Sequence, residues 1–157
     1  MNGPEPHGTH GGATLASWAE FERAAPELAA AFRSRFEANL HHVIGTIRAD
    51  GSPRLSGTEV RIGDGEVTLG MMPDSKKLAD VRRDPRVEIH SAPLETDLAG
   101  GDAKLAGSLS EQGSTHEPEG TSFGLRIALA SLVRVEGNEL VLMIWRPGRG
   151  TREIRRS

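Results

Sequence analysis

Residues 43–72 read VIGTIRADGSPRLSGTEVRIGDGEVTLGMM, and the punctuation of that run decides the fold. β-Branched and apolar residues recur along it without a helical period. ADGSP and GDG interrupt it, and both are turn signals of the kind that joins neighbouring antiparallel strands. Three strands are therefore expected, near residues 42–49, 53–62 and 66–71. A chain that turns this tightly twice in thirty residues is building a meander and leaves no room for crossover helices.

Working outward toward the C-terminus, SKKLADVRRDP predicts a short helix. Ser75 caps it, Leu78 and Val81 face inward, and Asp84-Pro85 stops it. RVEIHS predicts a strand, PLETDLAGGD a loop, AKLAGSLSEQ another strand and GSTHEPEG a second loop. FGLRIALASLVRVEG and ELVLMIW follow as two longer strands joined at GN, and RPGRGTREIRRS reads as a basic tail over 146–157. Toward the N-terminus, SWAE is a capping box opening a helix over 17–39 that restarts at Pro26. Leu28, Phe32, Phe36 and Leu40 recur at four-residue spacing, an apolar stripe that must pack on a core or on a dimer seam. Residues 1–13, rich in Gly, Pro and His, read as a disordered tail. Strands outnumber helices and turns are short. The expectation is a mainly β, antiparallel barrel with a few helices, forming one domain over 14–157 with the barrel proper at 41–145.

Composition narrows the function. The 157 residues suffice to bury ~70% of the unfolded surface in one core. A net charge of −3 offers no basic field for nucleic acid, and without tyrosine and with few phenylalanines there is no base-stacking platform. The absence of cysteine excludes disulfides, thiolate nucleophiles and cysteine-held metals. No apolar run approaches the ~20 residues of a membrane span, and no signal-peptide core is visible, so a cytoplasmic protein is expected. Walker A, G-x-G-x-x-G, H-E-x-x-H and G-x-S-x-G are all missing. His41 and His42 are adjacent, so on a strand they point to opposite faces and do not share a metal; no metal site is expected.

The stretch GMMPDSKKLAD, residues 70–80, carries the chemistry. A helix start already presents unpaired N–H groups and about half a positive charge. Lys76 and Lys77 add two more charges where Asp or Glu would stabilise. A phosphate would supply the missing negative charge, with Ser75 as a hydroxyl partner.

The order VIGTIRADGSPRLSGTEV, DGEVTLGMMPDSKKLADVRRDPRVEIHS and AKLAGSLSE resembles the flavin-binding split barrels related to pyridoxamine 5′-phosphate oxidase, over roughly residues 40–112. LVLMIWRPGRGTR is a weaker echo of the same family. The resemblance implies a homodimeric, antiparallel FMN-binding split barrel that carries hydride to or from a small organic substrate. Its cofactor would be FMN, with the deazaflavin coenzyme as alternative and haem as a less expected one. It further implies that Ser56, Gly57 and Thr58 approach the isoalloxazine edge and that Met71 and Met72 pack on the ring or ribityl chain. Ser75, Lys76 and Lys77 would hold the phosphate, with Arg54 and Arg61 as supplementary contacts. Trp145 and Arg149 would come from the partner subunit. The Arg-Leu-His pattern by which the oxidase itself reads its substrate is absent, RPGRGTR standing in its place, so vitamin B6 oxidation is not implied. A non-catalytic flavin- or haem-binding carrier or sensor of the same fold is the rival reading.

Overall fold

The capping box closes as expected: the Ser17 hydroxyl accepts from the Glu20 amide at 3.1 Å, and Glu20 reaches back to the Ser17 amide. It opens α1 (Trp18–Ala24), and Pro26, at the first position of α2 (Pro26–Glu37), restarts the helix where its missing N–H costs nothing. The computed structural model describes residues 13–93, 98–116 and 119–157. The expected N-terminal tail up to residue 12, with His7 and His10, and residues 94–97 and 117–118 lie outside the described residues.

Nine strands follow among the described residues: β1 (His41–Ile47), β2 (Pro53–Glu59), β3 (Arg61–Gly63), β4 (Glu66–Met71), then α3 (Lys76–Arg83) and β5 (Arg86–His90), β6 (Asp102–His116), β7 (Glu119–Glu136), β8 (Glu139–Arg146) and β9 (Gly150–Arg156). All pairings are antiparallel, and the main path runs β2-β1-β5-β6-β7-β4-β3, with β8 and β9 continuing from the far half of β7. The turn between β3 and β4 puts Asp64 and Gly65 at φ 52 and 76°, the two left-handed residues that a tight hairpin turn demands.

Three expectations are corrected here. The second loop expected over GSTHEPEG is mostly ladder, since β6 and β7 pair from Gly113↔Ser122 to His116↔Glu119. The single strand expected over 53–62 is two strands, because the chain changes partners at Val60. β2 pairs with β1, β3 pairs with β4, and Val60 turns its side chain into the core at the corner. The basic tail over 146–157 contains β9, paired residue for residue with β8 from Leu140↔Arg156 to Arg146↔Gly150.

The corner at Val60 defines the barrel. β2 and β3 are the two ends of the main path, so they are joined by the chain and not by a ladder of hydrogen bonds. The barrel is split along that seam. Its interior holds Ile44, Val67, Leu69, Ile89, Leu105, Leu125 and Ile127, and α1 and α2 plug one side with Trp18, Phe21, Phe32 and Phe36. Phe21 meets Phe32 edge-to-face at 5.4 Å and Trp145 at 4.8 Å. The apolar stripe therefore serves this chain's own core and is not a dimer seam. Leu40 falls beyond the end of α2 and is half exposed, so it is not part of that stripe. No helix among the described residues is long and apolar enough to cross a membrane.

Candidate functional site

Along β2 the odd positions Leu55, Gly57 and Glu59 face outward, while Arg54, Ser56 and Thr58 face in. Outward-facing Thr68, Gly70 and Met72 run along and just beyond β4 on the other side of the seam. Between these two rows, on the barrel's outer surface, lies a cleft of about 550 Å³. That is within the ~300–1,000 Å³ range of cofactor sites.

The cleft has a bare floor and a charged rim. A Cβ placed on Gly57 would meet nothing within 4 Å, and one on Gly70 would touch only the Thr121 carbonyl at 3.9 Å. With Gly120 also in the lining, the cleft offers bare backbone at Gly57 and Gly70 on which a flat ring system can lie. His41, Glu59, Arg61, Glu119 and Lys77 stand around this floor. Lys77 sits on the first turn of α3 and donates from Nζ to the Gly57 carbonyl at 2.6 Å. Burial lowers its pKa below the usual lysine value. Among the described residues its hydrogen bond is to a neutral carbonyl, and a half-buried ammonium so placed would gain from an anion.

Of the residues expected at the site, the structure gathers Gly57, Thr58, Met71, Met72 and Lys77 in the cleft lining. Arg61 joins them there, opposite Thr68. Met71 turns its side chain into the core and meets the cleft at its backbone edge, whereas Met72 is 71% exposed at the rim. Ser75 caps α3 by accepting from the Leu78 amide at 3.3 Å, and Lys76 is exposed beside it at the helix start. Both adjoin the cleft through Lys77 without lining it.

Four expected residues lie elsewhere. Arg54 donates from Nε to the buried Asp80 carboxylate at 2.7 Å. Ser56 faces inward on β2. Trp145 is 3% exposed and packs on Phe21, so this chain's own core already holds it. Arg149 is exposed in the turn between β8 and β9, where its amide donates to the Arg146 carbonyl. The two adjacent histidines do point to opposite faces. His41 borders the cleft, while His42 is buried, its Nε2 2.9 and 2.8 Å from the Phe36 and Asn39 carbonyls and its Nδ1 accepting from the Ala92 amide at 2.9 Å.

Sequence reasoning passed over His41, Glu59, Gly70 and Glu119 as cleft residues. The signal for Glu59 was present as period-two spacing from Gly57, and His41 follows from it, because the β1–β2 register sets His41 opposite Glu59.

No family model and no curated protein matches the chain by sequence. Solved structures do match by shape. An FMN-binding protein from Nostoc punctiforme, related to pyridoxamine 5′-phosphate oxidase, aligns at TM-score 0.61 and 11% identity, over 85% of this chain and 96% of that one. A heme-binding protein from Mycobacterium smegmatis aligns at 0.53 and 15%, over 90% and 88%. An F420 reductase aligns at 0.51 and 12%, over 60% and 91%. The chain thus has the split β-barrel fold of these proteins.

Proposed function

We propose that this chain is a cytoplasmic oxidoreductase that holds FMN, or the deazaflavin coenzyme, in the seam cleft and passes hydride between it and a small organic substrate. The observation that carries this reading is the pairing of a glycine floor with a half-buried ammonium at one end: a planar ring and a phosphate need those two surfaces side by side. The bound cofactor would supply the redox chemistry at its ring. The protein's part is to bind and orient. Gly57 and Gly70 admit the ring, Lys77 with Lys76 and the start of α3 hold the phosphate, and Met72 and Thr68 border the ring's exposed side.

The functional unit under this reading is a homodimer. Leu55 is 75% exposed and Val43 39%, and both lie on the outer face of β1 and β2. The register sets Val43 beside Gly57 and Gly45 beside Leu55, so this apolar face runs directly into the cleft. A second copy seated there would cover the cleft's open side and keep water from the ring. The rival reading, a haem carrier of the same fold, rests on His41, whose exposed imidazole stands at the cleft.

Absorbance and fluorescence spectra of the purified protein, then titration with FMN and with the deazaflavin coenzyme, test the assignment. Saturable binding of one of them is expected. A Soret band would favour the carrier, and failure to bind any of the three would remove the proposal. Replacing Lys76 and Lys77 together by alanine should weaken the cofactor at least about tenfold, since each charge-assisted bond contributes roughly 1.5–3 kcal/mol. Undiminished affinity in that variant would place the phosphate elsewhere.

A further inference from the structure

Asp80 is the one carboxylate in the described core, and it is held by donors from three elements. Thr46 of β1 donates to it at 2.8 Å, Arg54 of β2 at 2.7 Å and Arg83 of α3 at 3.1 Å. Arg83 also donates to the Ile47 carbonyl of β1 at 2.7 Å. The side chain is 4% exposed. Burial pushes its carboxyl up, but the bonds from Arg54, Thr46 and Arg83 outweigh that and hold it below the usual carboxylate range.

A carboxylate taken this far from water, even with the partly exposed guanidinium groups of Arg54 and Arg83 as partners, gains little net stability over a well-packed apolar side chain, so folding alone gives a weak reason for the cluster. Its placement gives a better one. Asp80 lies three residues after Lys77, on the same side of α3. Arg54 lies three residues before Gly57 on β2. Helix and strand are thus tied at two points: Asp80 to Arg54, and Lys77 to Gly57. The first tie fixes where along β2 the helix sits, and that position decides where the Lys77 ammonium stands relative to the cleft floor.

We propose that Asp80, through Arg54 and Thr46, is a positioning residue for the phosphate-binding lysine of the cleft. This rests on the cofactor reading above. It gives Arg54 a role that needs no contact with ligand, and it makes the phosphate end of the cleft dependent on a carboxylate that the ligand never touches.

The test compares FMN with riboflavin, which has the same ring and no phosphate, in wild type, Asp80→Asn, Lys77→Ala and the double variant. The deazaflavin coenzyme and its phosphate-free core are run alongside. Wild type is expected to prefer the phosphorylated member of a pair. Asp80→Asn keeps the side chain's volume but loses its charge, and should reduce that preference about tenfold while leaving affinity for the phosphate-free ring within about twofold; one charge-assisted bond is worth that much. In the Lys77→Ala background the same change should alter the preference little, because a residue that acts through another is silent when the other is gone. Equal loss of both ligands in Asp80→Asn would mark a general structural role and overturn the proposal, as would full additivity with Lys77→Ala. If Asp80→Asn does not fold, Arg54→Lys tests the same tie: a lowered preference supports it and an unchanged one overturns it. A wild type that binds the ring without regard to phosphate would remove the phosphate site itself, a separate failure seen before any variant is made.

Discussion

Lys77 is the residue whose environment most constrains the chemistry of the cleft. Its amine is half-buried, and that burial holds its pKa in the free protein below the ordinary lysine value of ~10.4 even though it donates to a carbonyl. A phosphate needs the protonated form. Cofactor affinity should therefore hold through neutral pH and fall as pH rises through that lowered value. Lys77→Arg should carry the decline to higher pH, since a guanidinium keeps its proton. Titrations of cofactor at stepped alkaline pH would show this, and identical declines in the two proteins would take Lys77 out of the site. The lysine pair was legible in the sequence because charge at a helix start is locally unfavourable and so calls for a reason. Trp145 was not legible in the same way. A tryptophan near the end of a strand has one appearance whether it meets a ligand or a core, and only the approach of Phe21 at 4.8 Å decides between them.

At the scale of elements, the cleft is made by β2 and β4 presenting outward rows across a seam, and glycine in those rows is what leaves it open. Gly57→Ala adds a methyl group where nothing lies within 4 Å. Its backbone is extended, so the fold should be unharmed or steadier by roughly 0.5–1 kcal/mol, the usual gain of alanine over glycine within a strand. Cofactor affinity should nonetheless drop about tenfold or more, as a ring held against backbone is displaced by even one methyl. Thermal melts beside cofactor titrations would separate the two effects, and unchanged affinity would mean that the ring does not lie on β2. The strands themselves were readable from turn residues and alternation. The break at Val60 was not, because a buried valine between two outward charged residues continues a perfect alternation; the change of partner from β1 to β4 is a tertiary event. β9 was hidden for a related reason. Glycine and arginine have little strand preference of their own, and the segment is ordered by its pairing with the apolar β8.

For the whole molecule, the decisive quantity is what the barrel leaves uncovered. Once the helix stripe is spent on the core, the large exposed apolar side chains among the described residues are Leu40, Val43, Leu55, Met72 and Leu140. Leu40 directly precedes β1, Val43 and Leu55 share the outer face of β1 and β2, and Met72 stands at the cleft rim that adjoins it. Scattered apolar residues need no explanation, but a group gathered beside an open cleft is where the proposed dimer would make its contact. If a second copy covers it, self-association and cofactor retention are one property, measurable together. Sedimentation equilibrium should find wild type as a dimer. Leu55→Glu would put a charge at the centre of that surface, two residues from Gly57 but outside the cleft lining. It should yield folded monomers that bind cofactor more weakly, by about tenfold or more, because the ring then stays open to water. A wild type that sediments as a monomer with its cofactor tightly held would leave the exposed face without this role. A variant that stays dimeric would move the dimer contact away from Leu55.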